Sequence, residues 1–278
     1  MTLLRRDVPR DKLGETILSM RSDVGCVVLA GGDGTLGAGA IALRDTGLPL
    51  GVLPAGAAND LAHALGIPDE PVAAAEVILA GHTRRVTLGS VNGQPFFTAA
   101  SVGLSMEQMR VLRRAARQRA GKLRFAAAAF RASLQARRFS AIIRCGGTVH
   151  RVRTVQVTIG NGRFFAGLGS GAAAGEAEAE PMLGMYSLEP PTQWGLVSMS
   201  HAFAGTDGTP IAEMRLDRSR SIELVTRLPQ TIYADGERVS VTPARFGLLP
   251  HAVSVYVPED RLPALPVAEL AAEGEAGP

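Results

Sequence analysis

Two apolar runs separated by helical patterns open the chain. The first, residues 24–30, ends at a cluster of glycines and is predicted to be a strand buried on both faces, and the second is residues 48–54. Helical patterns precede, separate and follow these runs, over residues 11–20, 36–44 and 71–80. Because such alternation is typical of a parallel sheet flanked by helices, residues 1–85 are predicted to form an α/β domain.

After Arg84 the pattern changes to short strands separated by turn residues. Asn92-Gly93 and Asn161-Gly162 are each predicted to be the turn of a hairpin, because Asn-Gly strongly favours the two-residue turn. Further strands are predicted over residues 222–225, 231–234, 238–241 and 253–257. The fold class is therefore α/β, with an N-terminal parallel sheet followed over residues 86–260 by a mainly antiparallel, sandwich-like all-β domain. Residues 261–278 are predicted to be a flexible tail.

One helical stretch, residues 106–139, interrupts the β-rich half. Between Glu107 and Arg138 it carries ten Arg or Lys residues and one acidic residue. Two interpretations stay open: attraction to anionic lipid headgroups at a membrane surface, or a solvated basic helix face. Nucleic-acid binding is not predicted, because the arginines are not regularly interleaved with aromatic residues for base stacking.

Composition places few further limits on function. The chain has 278 residues, a net charge of +3 and 46% hydrophobic residues, which is typical of a folded globular protein. Its two cysteines, Cys26 and Cys145, suggest neither a disulfide framework nor a metal site. No signal peptide or membrane span is evident, so the protein is predicted to be cytoplasmic. If the basic stretch binds anionic lipids, peripheral contact with the inner membrane face is also expected.

The glycine cluster at the end of the first apolar run, Gly31-Gly32-Asp33-Gly34-Thr35, is the first candidate site. Glycines allow close approach of a ligand, and N–H groups at a helix start hold anionic oxygens. The pattern is neither a Walker A loop nor the dinucleotide fingerprint, so a phosphate-binding loop and a plain strand–helix turn both stay open. A second loop, residues 55–62, follows the next strand. The carboxyl ends of neighbouring parallel strands are where open α/β sheets bind ligands.

These two loops, together with the segments Asn161–Gly167 and Asp235-Gly236-Glu237, resemble the bacterial diacylglycerol kinase-like lipid kinases over most of residues 10–258. NAD kinases share the Gly-Gly-Asp-Gly-Thr pattern, whereas the block Pro54–Ala62 is similar to the lipid kinases. The resemblance implies that the γ-phosphoryl group of ATP is transferred, with Mg²⁺, to the hydroxyl of a diacylglycerol-like or related membrane lipid.

The resemblance also implies roles for individual residues. Glu237 would accept the proton of the lipid hydroxyl, with Asp235 and Asp33 as further catalytic residues. The nucleotide would be held by residues of the two loops: Gly31, Gly32, Asp33, Gly34, Thr35, Leu36, Gly37, Gly56 and Asn59. From the residues alone, Asp33 and Asn59 are equally typical of helix caps, and Asp235-Gly236 of a hairpin turn. No metal ligand is assigned.

The chain departs from the family pattern at four points. We expect it to lack the family's first strand and Asn-Pro loop, and Gly37-Ala38 stands where the family has Asn-Glu. Ala57 replaces a threonine, and Met182-Leu183 replaces an Asp-Asp pair that helps to bind magnesium. The nearby carboxylates of Glu176, Glu178 and Glu180 offer a substitute or belong to a solvated loop. Two alternative functions therefore stay open: a nucleotide- or lipid-binding homologue with impaired catalysis, and an NAD kinase.

Overall fold

The computed structural model describes residues 7–56, 58–104, 137–162, 181–189 and 214–261. The N-terminal part is α/β. A short 3-10 helix, Arg10–Lys12, is followed by α1 (Leu13–Ser19), β1 (Val27–Gly31), α2 (Asp33–Thr46), β2 (Leu50–Pro54), α3 (Asp60–Ala64) and α4 (Pro71–Ala80). Strands β1 and β2 are parallel, with Val27 opposite Leu50 and Gly31 opposite Pro54.

Local chemistry sets the ends of the helices. α2 ends at Gly47 and α4 at Gly81, both left-handed, with φ values of 70° and 81°. α4 begins with Pro71 at its first position, and the Glu70 carboxylate accepts a hydrogen bond from Ala73 N at 2.7 Å. The helix predicted over residues 71–80 is therefore confirmed with its bounds.

After α4 the described chain forms twelve strands, each of which belongs to one of two sheets. They are β3 (Thr83–Val91), β4 (Gln94–Phe96), β5 (Ala99–Gly103), β6 (Phe139–Cys145), β7 (Thr148–Thr154), β8 (Gln156–Asn161), β9 (Leu183–Leu188), β10 (Met214–Ser219), β11 (Ile222–Thr226), β12 (Thr231–Ala234), β13 (Glu237–Val241) and β14 (Ala244–Tyr256). The second sheet is antiparallel, in the order β10-β9-β8-β5-β12-β13. The first sheet is mixed, in the order β1-β2-β14-β11-β6-β7, with β3 pairing β14 and β4.

The long strand β14 connects the two halves of the fold. Phe246, near its start, lies in the core of the β-rich part, whereas Val253 and Val255 lie in the core of the α/β part. Val255 pairs with Leu50 of β2 in parallel, so the end of the chain completes the N-terminal sheet. The predicted fold class, a parallel N-terminal sheet followed by an antiparallel β-rich part, is confirmed, but the N-terminal sheet is mixed.

Three details of the prediction are wrong. β1 is an edge strand of the described sheet, with only β2 beside it, and Val28 is 36% exposed. The helix predicted from Leu36 begins three residues earlier, at Asp33, since Gly32 already occupies the N-cap position. The helical insert predicted over residues 106–139 does not include its last three residues, because Arg137 and Arg138 are not helical and Phe139 begins β6.

The two predicted hairpins have different outcomes. Asn92-Gly93 turns β3 into β4, with φ values of 49° and 83° that match a turn requiring two left-handed residues. Asn161, in contrast, is the last residue of β8, whose two edges pair with β5 and β9. A hairpin to residues 163–165 has no free edge to use, so that prediction is wrong.

Several predictions fall on residues that the structure does not describe. They concern most of the basic stretch 106–139, Ala57, the acidic run 176–180, the segment 163–167 and the tail from residue 262. Within the described ranges, no helix combines the length and the apolar composition needed to cross a membrane.

Candidate functional site

The two glycine loops cross in direct backbone contact at the ends of β1 and β2. A Cβ placed on Gly32 would lie 2.8 Å from the Cα of Gly56, closer than real Cβ contacts allow. Ala55 N also donates a hydrogen bond to Gly31 O, at 3.1 Å. The glycines at 32 and 56 are therefore required for the approach of one loop to the other.

Asp33 connects the first loop to the second through its side chain. It is the first residue of α2, and its carboxylate accepts hydrogen bonds from Asp60 N (3.2 Å) and Leu61 N (3.0 Å), at the start of α3. The carboxylate thus caps α3 from a different helix and lies close to two helix N-termini, both of which favour a negative charge. Asp33 thus acts as a cap, but of α3 and not of the helix that it begins, which is the helix the sequence predicted it to cap.

Asn59 closes the second loop upon itself. It occupies the N-cap position of α3 in a left-handed conformation (φ 52°), but its side chain makes no capping bond. Instead its Oδ1 accepts from Gly56 N at 2.9 Å, and its Nδ2 donates to Asp69 Oδ1 at 3.4 Å. Asn59 therefore occupies a cap position, as the cap interpretation expects, but its side chain closes the loop beside the Gly32–Gly56 contact instead of capping the helix.

The Asp235-Gly236 turn between β12 and β13 is fixed by a buried carboxylate. Asp235 Oδ2 accepts from Phe97 N at 2.6 Å, and Oδ1 accepts from Thr98 N at 2.9 Å, from Thr98 Oγ1 at 2.7 Å and from Ala99 N at 3.3 Å. Burial raises the pKa of Asp235 to about 6, although these hydrogen bonds act in the opposite direction. Asp235 is therefore an anchor that ties the turn to the segment 97–99.

Two further glycines allow this turn to pack closely against α2. A Cβ at Gly37 would lie 2.7 Å from the Cβ of Asp235, and a Cβ at Gly34 would lie 2.8 Å from its carbonyl oxygen. Residues three apart lie on one helix face, so Gly34 and Gly37 form a flat surface on which the turn rests. The departure from the family pattern at Gly37 thus has a structural reason, since a larger side chain here would displace the Asp235 turn.

Glu237 follows the turn as the first residue of β13 and forms an ion pair with Arg10. Arg10 Nη1 lies 2.9 Å from Glu237 Oε1, and Arg10 Nε donates to Gly34 O at 2.9 Å. One guanidinium therefore joins the first turn of α2 to the carboxylate on β13. The sequence analysis did not identify Arg10, because it belongs to no motif and its partner lies near the other end of the chain.

Asn161, which was predicted to lie in a turn, instead supports the segment that binds Asp235. Its side-chain amide is buried and donates to Thr87 O at 2.6 Å and to Phe97 O at 3.0 Å. Phe97 also donates to Asp235, so Asn161 and Asp235 hold the same segment from two sides. The one sequence signal of this role was that Asn161 belongs to a family motif but is not flanked by alternating apolar and polar residues.

The structure therefore brings the predicted site residues together around the first two turns of α2. Gly31 to Gly37, Gly56 and Asn59 lie at the two crossing loops, and Asp235 and Glu237 lie on the turn that packs against α2. The side chain of Leu36 is buried in the core of the α/β part, so only its backbone is available to a ligand. Leu183 is buried in β9 and cannot supply a side-chain oxygen to a metal.

Comparisons with known proteins identify the family of the chain. Residues 8–91 match the family model of the diacylglycerol kinase catalytic domain, and residues 99–257 match that of the YegS C-terminal NAD kinase beta sandwich-like domain. A diacylglycerol kinase of Staphylococcus aureus is 24% identical over 90% of this chain and 81% of its own length. An uncharacterized Synechocystis protein, sll0036, is 26% identical over 84% of this chain, which spans only 54% of that relative.

Solved structures show the same fold. A diacylglycerol kinase from Bacillus anthracis str. Sterne superposes with a TM-score of 0.66 at 18% identity, covering 92% of this chain and 85% of that one. A second structure from that organism gives a TM-score of 0.71 at 20% identity. The β-sandwich model alone spans more than half of the chain, and the catalytic-domain model covers the glycine loops described above. The chain belongs to the diacylglycerol kinase-like family.

Proposed function

We propose that the protein is an ATP-dependent lipid kinase that transfers the γ-phosphoryl group to the hydroxyl of a diacylglycerol-like or related membrane lipid. The observation that carries the proposal is the position of Glu237, a half-exposed carboxylate held beside the first turn of α2. Membership of the family supports a kinase, and the name of the S. aureus relative supports diacylglycerol as the class of acceptor.

The start of α2 offers donors for the phosphates of the nucleotide. Phosphoryl transfer depends mainly on positioning and on neutralising charge. Asp33 and Gly34 occupy the first two positions of α2, where backbone N–H groups have no carbonyl one turn earlier to bond. With the hydroxyl of Thr35, these N–H groups supply hydrogen bonds for phosphate oxygens at the start of α2, where the guanidinium of Arg10 also lies, paired with Glu237.

Glu237 supplies the base. In the proposed reaction the lipid hydroxyl attacks the γ-phosphorus, the bond from that phosphorus to the bridging oxygen of ADP breaks, and the hydroxyl proton passes to the Glu237 carboxylate. Asp235 has a different task, because both its oxygens already accept hydrogen bonds from the segment 97–99. It fixes the turn that presents Glu237.

The described residues do not form the magnesium site that the resemblance implies. Among them there is no group of three or more His, Cys, Asp or Glu side chains placed to hold a metal ion. Both oxygens of Asp33 and of Asp235 accept backbone N–H groups. The proposed mechanism therefore uses the protein groups alone and takes no step through a metal.

The test is transfer of label from γ-labelled ATP to diacylglycerol in neutral detergent micelles, in a buffer that contains Mg²⁺. Loss of a general base typically costs about 10²- to 10⁴-fold in rate, so we expect Glu237→Gln to lower kcat by that factor. The matched control is Asp45→Asn, which removes a half-exposed carboxylate that is also paired with an arginine, Arg44. Equal activity of Glu237→Gln and Asp45→Asn would remove Glu237 from the mechanism.

A second candidate is a homologue that binds nucleotide without transferring phosphate. The apolar side chain of Leu183, at a position where the resemblance implies a magnesium ligand, favours it. Calorimetric binding of ATP with no labelled product from diacylglycerol would support this candidate. Labelled NADP, formed when NAD is the acceptor, would instead support the third alternative, an NAD kinase.

A further inference from the structure

The outer face of the first sheet carries a regular array of arginines. Three rows of side chains cross the strands β14, β11, β6 and β7, as the strand pairing shows. The first row is Arg245, Glu223, Arg144 and Val149, the second is Val225, Ile142 and Arg151, and the third is Arg227, Ser140 and Arg153. We call these ten residues the arginine face.

The array is a consequence of strict alternation along each strand. Ala141, Ile143 and Cys145 of β6 are buried in the β-rich core, whereas the alternate residues Ser140 and Arg144 are exposed and Ile142 is half-buried. Side chains of successive residues point to opposite faces, so every second residue of these strands is on the outside. A half-solvated antiparallel sheet normally presents mixed polar residues there.

The arginine face is unusual in its charge. Its described members include five arginines and one carboxylate, Glu223, which pairs with Arg144 at 3.3 Å. One carboxylate among five guanidinium groups leaves most of the positive charge of the face uncompensated, and the exposed pair itself is weak. Rows are about 7 Å apart and strands about 5 Å apart, which places the charges within a patch about 15 Å across.

Apolar side chains lie among the arginines. Val149 is 48% exposed and Val225 is 36% exposed. Ile142, which is half-buried, lies in the second row between Val225 and Arg151. Arginine stems add further aliphatic surface beside their charged heads. A flat surface of this kind, cationic with aliphatic centres, matches the chemistry of the headgroup boundary of an anionic bilayer.

We propose that the arginine face is a docking surface for an anionic lipid bilayer. The choice of a bilayer over other polyanions rests on the proposed function, because the acceptor is a membrane lipid. The face also lacks the aromatic side chains that stack on single-stranded bases, and a flat sheet offers no groove for a duplex. Arg137 and Arg138 directly precede β6 in the sequence, so two further arginines adjoin this face along the chain.

The expected contribution of each arginine follows from surface electrostatics. One arginine close to an anionic membrane contributes about fivefold in partition coefficient. Neutralising two of them should therefore weaken binding about 25-fold at low salt. Because charges at a surface are screened beyond about 8 Å at 0.15 M salt, the difference should shrink as salt is added.

The experiment is sedimentation of the full chain, without nucleotide, with vesicles of phosphatidylcholine alone or mixed with phosphatidylglycerol. The test variants are Arg151→Gln/Arg153→Gln and the charge reversal Arg151→Glu/Arg153→Glu, both on β7 at the edge of the sheet. The control is Arg21→Gln/Arg85→Gln, which removes the same charge from exposed positions of the α/β part. We expect binding only to the anionic vesicles, weakened by the test variants and close to the original in the control.

Three results would overturn the proposal: equal binding to both kinds of vesicle, equal losses in test and control variants, or displacement of the vesicles by a single-stranded RNA at lower concentration. Failure of the proposed kinase is seen separately. The arginine face is on the first sheet and the Asp235 turn on the second, so both test variants should keep the original turnover in neutral micelles if the chain is a kinase. Vesicle binding needs no turnover and is measured either way.

Discussion

Replacing Arg10 by methionine removes the guanidinium that joins two parts of the candidate site and keeps an unbranched side chain of similar length. Arg10 donates to Gly34 O and pairs with Glu237 Oε1, each at 2.9 Å. Glu237 begins β13 directly after a left-handed turn, and the described residues provide no second bond to its carboxylate. Without Arg10 we expect this carboxylate to rotate away from α2.

The effect on stability should be small. The side chains of Arg10 and Glu237 are 39% and 47% exposed, so solvent screens the ion pair to about 0.2–1 kcal/mol. The hydrogen bond to Gly34 O adds about 0.5–1 kcal/mol at this exposure. The free energy of unfolding should therefore fall by about 1 kcal/mol, and the fold should persist.

The effect on turnover should be larger than the effect on stability. A displacement of about 1 Å at a reacting group can cost about 10²-fold in rate. We therefore expect Arg10→Met to lower kcat about 10- to 100-fold, which corresponds to about 1.4–2.7 kcal/mol of barrier. Arg10→Lys keeps the charge but cannot make both bonds with fixed geometry, so its kcat should lie between those of Arg10→Met and the original chain.

The assay combines urea unfolding with label transfer to diacylglycerol in neutral micelles. Arg44→Met is the matched control, because Arg44 forms a comparable half-exposed ion pair with Asp45 at 2.8 Å at the far end of α2. Millimolar guanidinium should restore part of the kcat of Arg10→Met and leave Arg44→Met unchanged. In the Glu237→Gln background, Arg10→Met should cause little further loss, since the two residues act as a unit.

Two results would refute this account of Arg10. One is a kcat for Arg10→Met as high as that of Arg44→Met, which would show that Glu237 needs no support. The other is a loss of the same factor in the original and the Glu237→Gln backgrounds, which would mean that Arg10 acts independently of Glu237.

Three further predictions concern the residues that hold the site together. Burial raises the pKa of Asp235 from 3.8 to about 6, so its contribution to stability is complete below about pH 4 and is lost as the pH rises through 6. The free energy of unfolding of the original chain, measured in urea, should therefore fall by up to ~3 kcal/mol over this range relative to Asp235→Asn. Gly37→Ala, whose Cβ would lie 2.7 Å from Asp235, should lower the free energy of unfolding by about 1–3 kcal/mol and reduce turnover. Its control is Gly14→Ala in α1, whose Cβ would have no atom nearer than 3.7 Å. In thermal unfolding this control should be more stable than the original chain by up to about 1 kcal/mol. Asp33→Ala should cost about 1–2 kcal/mol through the lost cap of α3, and Asp33→Asn should cost less because one oxygen can still accept from Leu61 N.

Local patterns predicted the elements whose cause is local. The bounds of α4 follow from Pro71 and Gly81, and the Asn92-Gly93 turn follows from two residues that tolerate positive φ. The resemblance found the candidate site residues because their motifs are contiguous in sequence. It could not assign their contacts, since Asp33, for example, bonds to Asp60 and Leu61 across two loops.

The errors arose where long-range pairing decides the outcome. The apolar run at β1 suggested burial on both faces, yet in the described sheet this strand has only β2 beside it. Asn161-Gly162 has the composition of a turn, but both edges of β8 are occupied and the asparagine amide bonds to Thr87 and Phe97 instead. The ion pair of Arg10 and Glu237 joins residues from opposite ends of the chain and leaves no local pattern.

The glycines of the first loop show why composition alone left its role open. Gly32 is required by the crossing with Gly56, and Gly34 and Gly37 are required by the Asp235 turn, so each has a packing reason that needs no ligand. These same contacts fix the two loops and the turn of Glu237 around one helix start, where N–H groups at the first positions of α2 lack partners within the helix. The packing of three separate segments accounts for the glycines whether or not a ligand binds. Phosphate binding at this loop therefore rests on the N–H groups at the start of α2 and stays a prediction, which calorimetric titration of ATP into the chain tests.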